Sequence, residues 1–282
     1  MRFAKMHGIG NDFVMVDARN QEADWPALAE RMCNRHFGVG GDGLILVLPS
    51  DQADLRMRMF NPDGSESEMC GNGIRCYAKF VLDDGILPAG KDDLSVETGA
   101  GVLSLRVQRA GDEVESVTVD MGEPRLRPEQ VPVDASLVTG DRVLNYPLEV
   151  NGLTIPISCV SMGNPHAITF VEGDLRDYPL DRIGPLVEHH PFFPRRVNFE
   201  IVRVRDRAHL DVRVWERGAG LTLACGTGAC ATVVAARIHD LVDEEVEVCL
   251  PGGPLVIRWD SGPVLMRGPA ELVFRGDWPA AR

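Results

Sequence analysis

The chain has 282 residues, 44% of them hydrophobic and 25% charged, which is enough for two ordinary domains with real cores. A net charge of −13 argues against nucleic acid as a partner and means that any anionic substrate must be gripped by a local positive site. Seven cysteines, an odd number with no secretion signal, favour reduced thiols in the cytoplasm over a disulfide framework.

Taken in chain order, residues 1–8 lack the apolar core of a signal peptide, and no apolar run in the chain is long enough to span a bilayer. A strand pattern covers 12–17. A helix is predicted over 25–35, capped by Asp24, with Pro26 in its tolerant first turn and Gly38 beyond its end. Gly38-Val39-Gly40-Gly41-Asp42-Gly43 has the letters of a dinucleotide fingerprint. That motif needs a strand before it and a helix after it, whereas here a helix precedes and a strand at 44–48 follows. The segment reads as a tight connection. An alternating strand at 55–60 leads to Cys70-Gly71-Asn72-Gly73, which opens a helix over 74–82 with Ile74, Tyr77, Ala78 and Val81 on one face. Asp83-Asp84 reads as its solvated end, with Gly85 beyond. Strands at 103–108 and 116–120 precede a polar, proline-bearing stretch, 122–129, which is the predicted domain boundary.

Further strands are expected at 153–160, 167–171 and 197–204, and His189-His190, among prolines, reads as exposed loop. Cys225-Gly226-Thr227-Gly228 opens a second helix over 229–238 that is small and apolar nearly all round, hence buried on most sides. Strands at 246–250 and 255–259 follow, and the tail 265–278 is expected to return to the first domain. The predicted domains are 1–121 plus 265–282, carrying Cys70, and 122–264, carrying Cys225. The fold class is α+β: two pseudo-symmetric lobes, each a mostly antiparallel, barrel-like sheet around a central helix.

The symmetry rests on a repeat. The two Cys-Gly-x-Gly phrases are offset by 155 residues. At the same offset the strand at 55–61 lies over that at 210–216, the two ending in Asn61 and Glu216, each nine positions before its cysteine. Gly10-Asn11 corresponds to Gly163-Asn164 at an offset of 153. Two copies make a duplicated fold, not a solenoid.

A cysteine at a helix start sits where unpartnered N–H groups and the helix dipole stabilise a thiolate. Glycines beside it let a ligand approach the backbone. Two such thiols facing one another across a pocket would supply the acid and the base for inversion at a carbon. Cys33, Cys76, Cys159, Cys230 and Cys249 read as small core residues, because no C-x2-C pair or finger-spaced histidine supports a metal. His166, beside Asn164 and just before a strand, suits a site role, and Arg217 offers a planar fork for a carboxylate.

Five blocks in order, Met6 through Phe13, Asn61-Pro62-Asp63-Gly64-Ser65, Glu68 through Cys76, Met162-Gly163-Asn164-Pro165-His166, and Trp215-Glu216-Arg217-Gly218 with Ala224 through Cys230, resemble the diaminopimelate epimerases over nearly the whole chain. The resemblance implies a cofactor-independent isomerase that interconverts LL- and meso-2,6-diaminoheptanedioate for lysine and peptidoglycan synthesis, with no pyridoxal phosphate and no metal. It implies Cys70 and Cys225 as the acid/base pair, with His166 and Glu216 tuning the thiols. It further implies Asn11, Gly43, Asn61, Gly71, Asn72, Asn164, Asn198, Glu216, Arg217, Gly226 and Thr227 as substrate contacts. A cytoplasmic enzyme with a small-molecule substrate and neither nucleic-acid nor membrane partners follows, and a homodimer is left open. At Gly43 several relatives carry Gln, so a side-chain contact there is absent or replaced; many carry Glu at the position of Leu221, which is not a substrate contact. Three other readings stand beside this one: a two-thiol proline racemase, a Cys–His hydrolase built on one thiol and His166, which leaves the second thiol unexplained, and a non-enzymatic binding module.

Overall fold

The computed structural model describes residues 1–88 and 90–279. The chain forms two compact units, Met1–Asp120 with Arg267–Arg282, and Met121–Met266.

In the first unit Glu271–Asp277 lies antiparallel to Arg2–Gly8, which turns through Ile9 and Gly10 into Asn11–Asp17. Asn11–Asp17 runs parallel to Gly43–Leu48, and the crossover between them carries helix α1, Trp25–Cys33. Leu55–Phe60 returns antiparallel, then pairs in parallel with Asp93–Thr98 through a crossover carrying α2, Gly71–Asp83. Gly101–Ala110 and Glu113–Asp120 extend the ladder antiparallel. Each parallel step needs a long connection, and each helix occupies one.

The second unit repeats this order through the hairpin that follows its second parallel step. Leu153–Ser161, antiparallel to Tyr146–Val150, turns into Pro165–Phe170, which is parallel to Asn198–Asp206 across α3, Leu180–Glu188. His209–Glu216 returns antiparallel and then pairs in parallel with Glu245–Leu250 across α4, Gly226–Ile238, before Gly253–Arg258 closes the series. The architecture is the expected α+β class, sheet-dominated with few helices, although the sheets do not close into barrels.

Helix α4 earns its central place by size. Ala229, Cys230, Ala231, Val233, Val234, Ala235 and Ala236 expose no surface, and the helix packs on five strands of its unit. Helix α2 differs from the expected one-faced helix. Its Arg75 and Lys79 are buried as well, because backbone carbonyls meet them: Arg75 Nε donates to Pro269 O at 3.2 Å and Lys79 Nζ to Val114 O at 2.7 Å. Asp83 is not a solvated helix end. It takes Lys79 Nζ at 2.7 Å and the Val114 N–H at 3.1 Å, while Asp84 pairs with Arg275 at 2.5 Å.

Helix α3 lies in a stretch to which the sequence reading assigned no element. Pro179 at its cap and Pro185 inside it hide a clear apolar stripe, Leu180, Ile183 and Val187, all buried. The repeat contained the missing signal, since α1 and α3 are both nine residues long and start 155 residues apart. Gly184 of α3 meets the indole of Trp215, and an added Cβ would lie 2.5 Å from Trp215 Cγ. The indole cannot swing aside cheaply, because its Nε1 donates to buried Glu188 at 2.7 Å. Gly184→Ala is therefore expected to destabilise by roughly 1–3 kcal/mol through overpacking, even after a helix-propensity gain of about 1 kcal/mol. A fall in the urea midpoint at unchanged slope would register this; a rise would mean that propensity dominates. No helix among the described residues is long and apolar enough to cross a membrane.

Candidate active site

In the first unit Cys70 is the N-cap of α2, with extended φ/ψ of −136° and 120°. Its Sγ lies 3.6 Å from Asn11 Oδ1, which also accepts from Asn72 Nδ2 at 3.2 Å. Asn11 reaches this position at the start of its strand, and its amide is oriented from behind: Asn11 Nδ2 donates to Asp42 Oδ2 at 2.6 Å. Asp42 comes from the glycine-rich connection 38–43, so that segment does serve the site, as a carrier of this carboxylate. Arg35 clamps Asp12 and Asp42 at 2.7 Å each, and Lys5 adds 2.5 Å to Asp12 and a bond to Gly40 O. Burial works against the Asp12 carboxylate, but hydrogen bonds from Arg35 and Lys5 outweigh it and bring its pKa to about 2. Gly71 and Asn72 form the first turn of α2 and are buried.

Two further predicted residues of this unit have other neighbours. Asn61 shapes its own turn, with Nδ2 donating to Ser65 Oγ at 3.0 Å. Gly43 sits in the ladder opposite Phe13, where a Cβ would come within 3.0 Å of Met59 Cε and Phe60 O. A side chain at Gly43 would require these neighbours to give way by a few tenths of an ångström.

In the second unit Cys225 caps α4 with the same extended backbone, φ −128° and ψ 104°, and its Sγ accepts the Gly228 N–H at 3.3 Å. Thr227 Oγ1 lies 3.6 Å from the sulfur and accepts Asn164 Nδ2 at 3.2 Å. Asn164 Oδ1 meets His166 Nε2 at 3.1 Å, and His166 Nδ1 meets Glu200 Oε1 at 2.7 Å. One chain of polar contacts thus joins predicted residues Cys225, Thr227, Asn164 and His166. Gly226 forms the first turn beside them. Asn198 uses its amide on the scaffold, donating to Pro165 O at 2.9 Å and accepting the Arg217 N–H at 2.8 Å. The Arg217 guanidinium is exposed and donates to Arg195 O at 3.1 Å. Glu216 Oε1 accepts from Thr222 Oγ1 at 2.5 Å. Leu221 is exposed on the short strand Gly220–Leu221.

Electrostatics at Cys225 pull two ways. Burial pushes the thiol well above its usual range, and the carboxyl group of Glu216 and, when it is ionised, that of Glu200 push it further; the Thr227 hydroxyl and the Gly228 N–H act against them. By contrast, it is chiefly burial that lifts Cys76 to about 12 and Cys33 to about 11, as befits inert core thiols. The sequence reading did not single out Glu200 or Asp42. A glutamate flanked by Phe199 and Ile201 in an apolar strand was the available signal for the first; the second lay inside a motif discarded for its wrong context.

Comparison with known proteins gives the family. The diaminopimelate epimerase family model matches residues 3–127 and 158–273. A diaminopimelate epimerase from Moorella thermoacetica is 54% identical over 283 residues, covering 99% of each chain. Another, from Desulfitobacterium hafniense, is 53% identical over 281 residues, covering 98% of this chain and 97% of its own. Among solved structures, a PhzF-family phenazine biosynthesis protein from Bacillus anthracis superposes with a TM-score of 0.72 at 19% identity, with 99% of both chains covered. A hydroxyproline epimerase from Agrobacterium vitis also gives 0.72, at 13% identity, over 98% of this chain and 90% of its own. These two likenesses speak to the fold. With half of its residues shared with diaminopimelate epimerases from end to end, the chain belongs to the diaminopimelate epimerase family.

Proposed function

We propose that this protein interconverts LL- and meso-diaminopimelate by proton transfer at the α-carbon, with Cys70 and Cys225 as paired acid and base. The observation that carries the reading is the twofold placement of a cysteine as N-cap of a helix opening Gly-Asn-Gly or Gly-Thr-Gly. Helix starts bring backbone N–H groups to an α-carboxylate, which bears the charge of the carbanion when no cofactor stores it. One thiol starts each turnover as thiolate and the other as thiol, so their ionisations are coupled. Asn11, Asn61, Gly71, Asn72, Asn164, Asn198, Gly226 and Thr227 belong to the substrate-binding set in this reading, with Gly43 contributing backbone only. Arg217 grips the distal carboxylate, and Glu216 and His166 tune the thiols. The enzyme works in the cytoplasm on a small molecule.

Solvent deuterium exchange tests the reaction. Incubation in D2O is expected to place deuterium at the α-position of diaminopimelate and to leave proline unlabelled. Exchange into proline, or none into diaminopimelate, would sink this reading in favour of another two-thiol racemase or of a hydrolase.

A further inference from the structure

Glu200 and His166 both have fully buried side chains. Oε1 of Glu200 is engaged by His166 Nδ1, whereas among the described residues its Oε2 has no hydrogen-bond partner. A lone carboxylate there would carry charge on a buried oxygen that nothing meets, which is costly. A proton held between Oε1 and Nδ1 removes that cost and makes the pair neutral overall. Burial pushes the Glu200 carboxyl upward against the attraction of His166, in keeping with the neutral acid donating to Nδ1. Whichever atom holds the shared proton, His166 Nε2 then carries a hydrogen of its own.

That hydrogen sets a direction. Nε2–H donates to Asn164 Oδ1, so the amide turns its Nδ2 to Thr227 Oγ1. A hydroxyl that accepts there has its own hydrogen to give, and Cys225 Sγ lies 3.6 Å away. In the reverse arrangement Nε2 is bare, Asn164 is turned over and Thr227 donates to Asn164. The sulfur then loses the hydroxyl hydrogen, and Glu200 is left a buried anion. Glu200 also abuts the start of α4: a Cβ on Gly228 would lie 2.7 Å from Glu200 Oε1 and 3.1 Å from Cys225 Sγ.

We propose that Glu200 is a positioning residue, which keeps a hydrogen on His166 Nε2 and thereby directs the His166–Asn164–Thr227 chain so that a hydroxyl hydrogen meets the Cys225 thiolate. The inference rests on reading Cys225 as a reacting thiol. Among the described residues, titratable and charged groups facing Cys225 include Glu216 from His209–Glu216 and Glu200 from Asn198–Asp206. Those facing Glu200 are His166 from Pro165–Phe170 and Cys159 from Leu153–Ser161.

The test is the pH dependence of Cys225 alkylation by iodoacetamide in the full chain, read by peptide mass mapping, with Cys70 in the same digests as internal control. Thr227→Val is expected to raise the Cys225 midpoint by about one pH unit, the tenfold change that one hydrogen bond to a charged group carries. Glu200→Leu should raise it equally, and the double variant no further, because both break one chain. Glu200→Gln, neutral and still able to donate to Nδ1, should leave the midpoint in place. Were Glu200 acting as a buried charge beside the sulfur, Gln and Leu would both lower the midpoint. A lowered midpoint in Glu200→Gln, an unshifted one in Thr227→Val, or an unshifted one in folded Glu200→Leu overturns the proposal. Should Glu200→Leu fail to fold by circular dichroism, the Gln and Thr227→Val pair decides alone. Alkylation needs no turnover, so a wild type that exchanges no deuterium into diaminopimelate would sink the functional reading while the midpoints stayed readable.

Discussion

Cys70→Ser and Cys225→Ser are each expected to lose at least about a thousandfold in kcat while staying folded, the upper part of the range for a general base. The reason is the proton affinity of the replacement: a serine hydroxyl ionises far above a thiol and cannot serve as the base, although it nearly matches the thiol in shape. Folding should survive for a reason visible at both positions. Each cysteine is an N-cap with extended φ/ψ, and serine is among the preferred N-caps. At residue 225 the hydroxyl can take over the Gly228 N–H that the sulfur accepts at 3.3 Å. Thermal melting should therefore stay at or above that of the wild type while deuterium exchange collapses. A single variant that keeps wild-type turnover would end the two-base scheme. Cys76→Ser supplies the contrast: its thiol is fully buried and pushed up to about 12, so the change should cost stability and spare kcat in the folded fraction.

Arg217→Lys is expected to raise KM for diaminopimelate roughly a hundredfold, with a smaller effect on kcat, because lysine keeps the charge but not the paired fork. The structure holds this residue by its backbone and leaves its head exposed. Its N–H is fixed by Asn198 Oδ1 at 2.8 Å, and the next residue, Gly218, donates to Glu188 Oε1 at 2.9 Å. The side chain can thus be changed without disturbing the turn that carries it. The chain as a whole cannot compensate, since its net charge is −13. Lysine, which lacks the second carboxylate, should be a very poor substrate for the wild type. Efficient racemisation of lysine, or an Arg217→Lys enzyme with unaltered KM and kcat, would remove the distal clamp and reopen the choice of substrate.

Local pattern determined a great deal here. Alternation marked most of the strands, and small, nearly all apolar residues over 229–236 marked a helix covered on most sides, because both are properties of a segment and its own period. The repeat placed a cysteine at the start of a helix in each half, and the structure puts both at N-cap positions. The α3 helix was given no element by the sequence pattern, although the offset from α1 contained the answer. Other features belonged to tertiary structure alone. Arg75 and Lys79 look like solvent-facing residues of an amphipathic helix until backbone carbonyls from Pro269 and Val114 are brought against them. Asp42 becomes the partner of Asn11 only when the parallel strands Asn11–Asp17 and Gly43–Leu48 lie side by side. Glu200 meets His166 across 34 residues of chain by the same kind of pairing, between Pro165–Phe170 and Asn198–Asp206. A sequence states which groups can ionise or donate, but a buried proton is placed by the partner that the fold delivers, and parallel pairing delivers it from a distant segment that no local period reports.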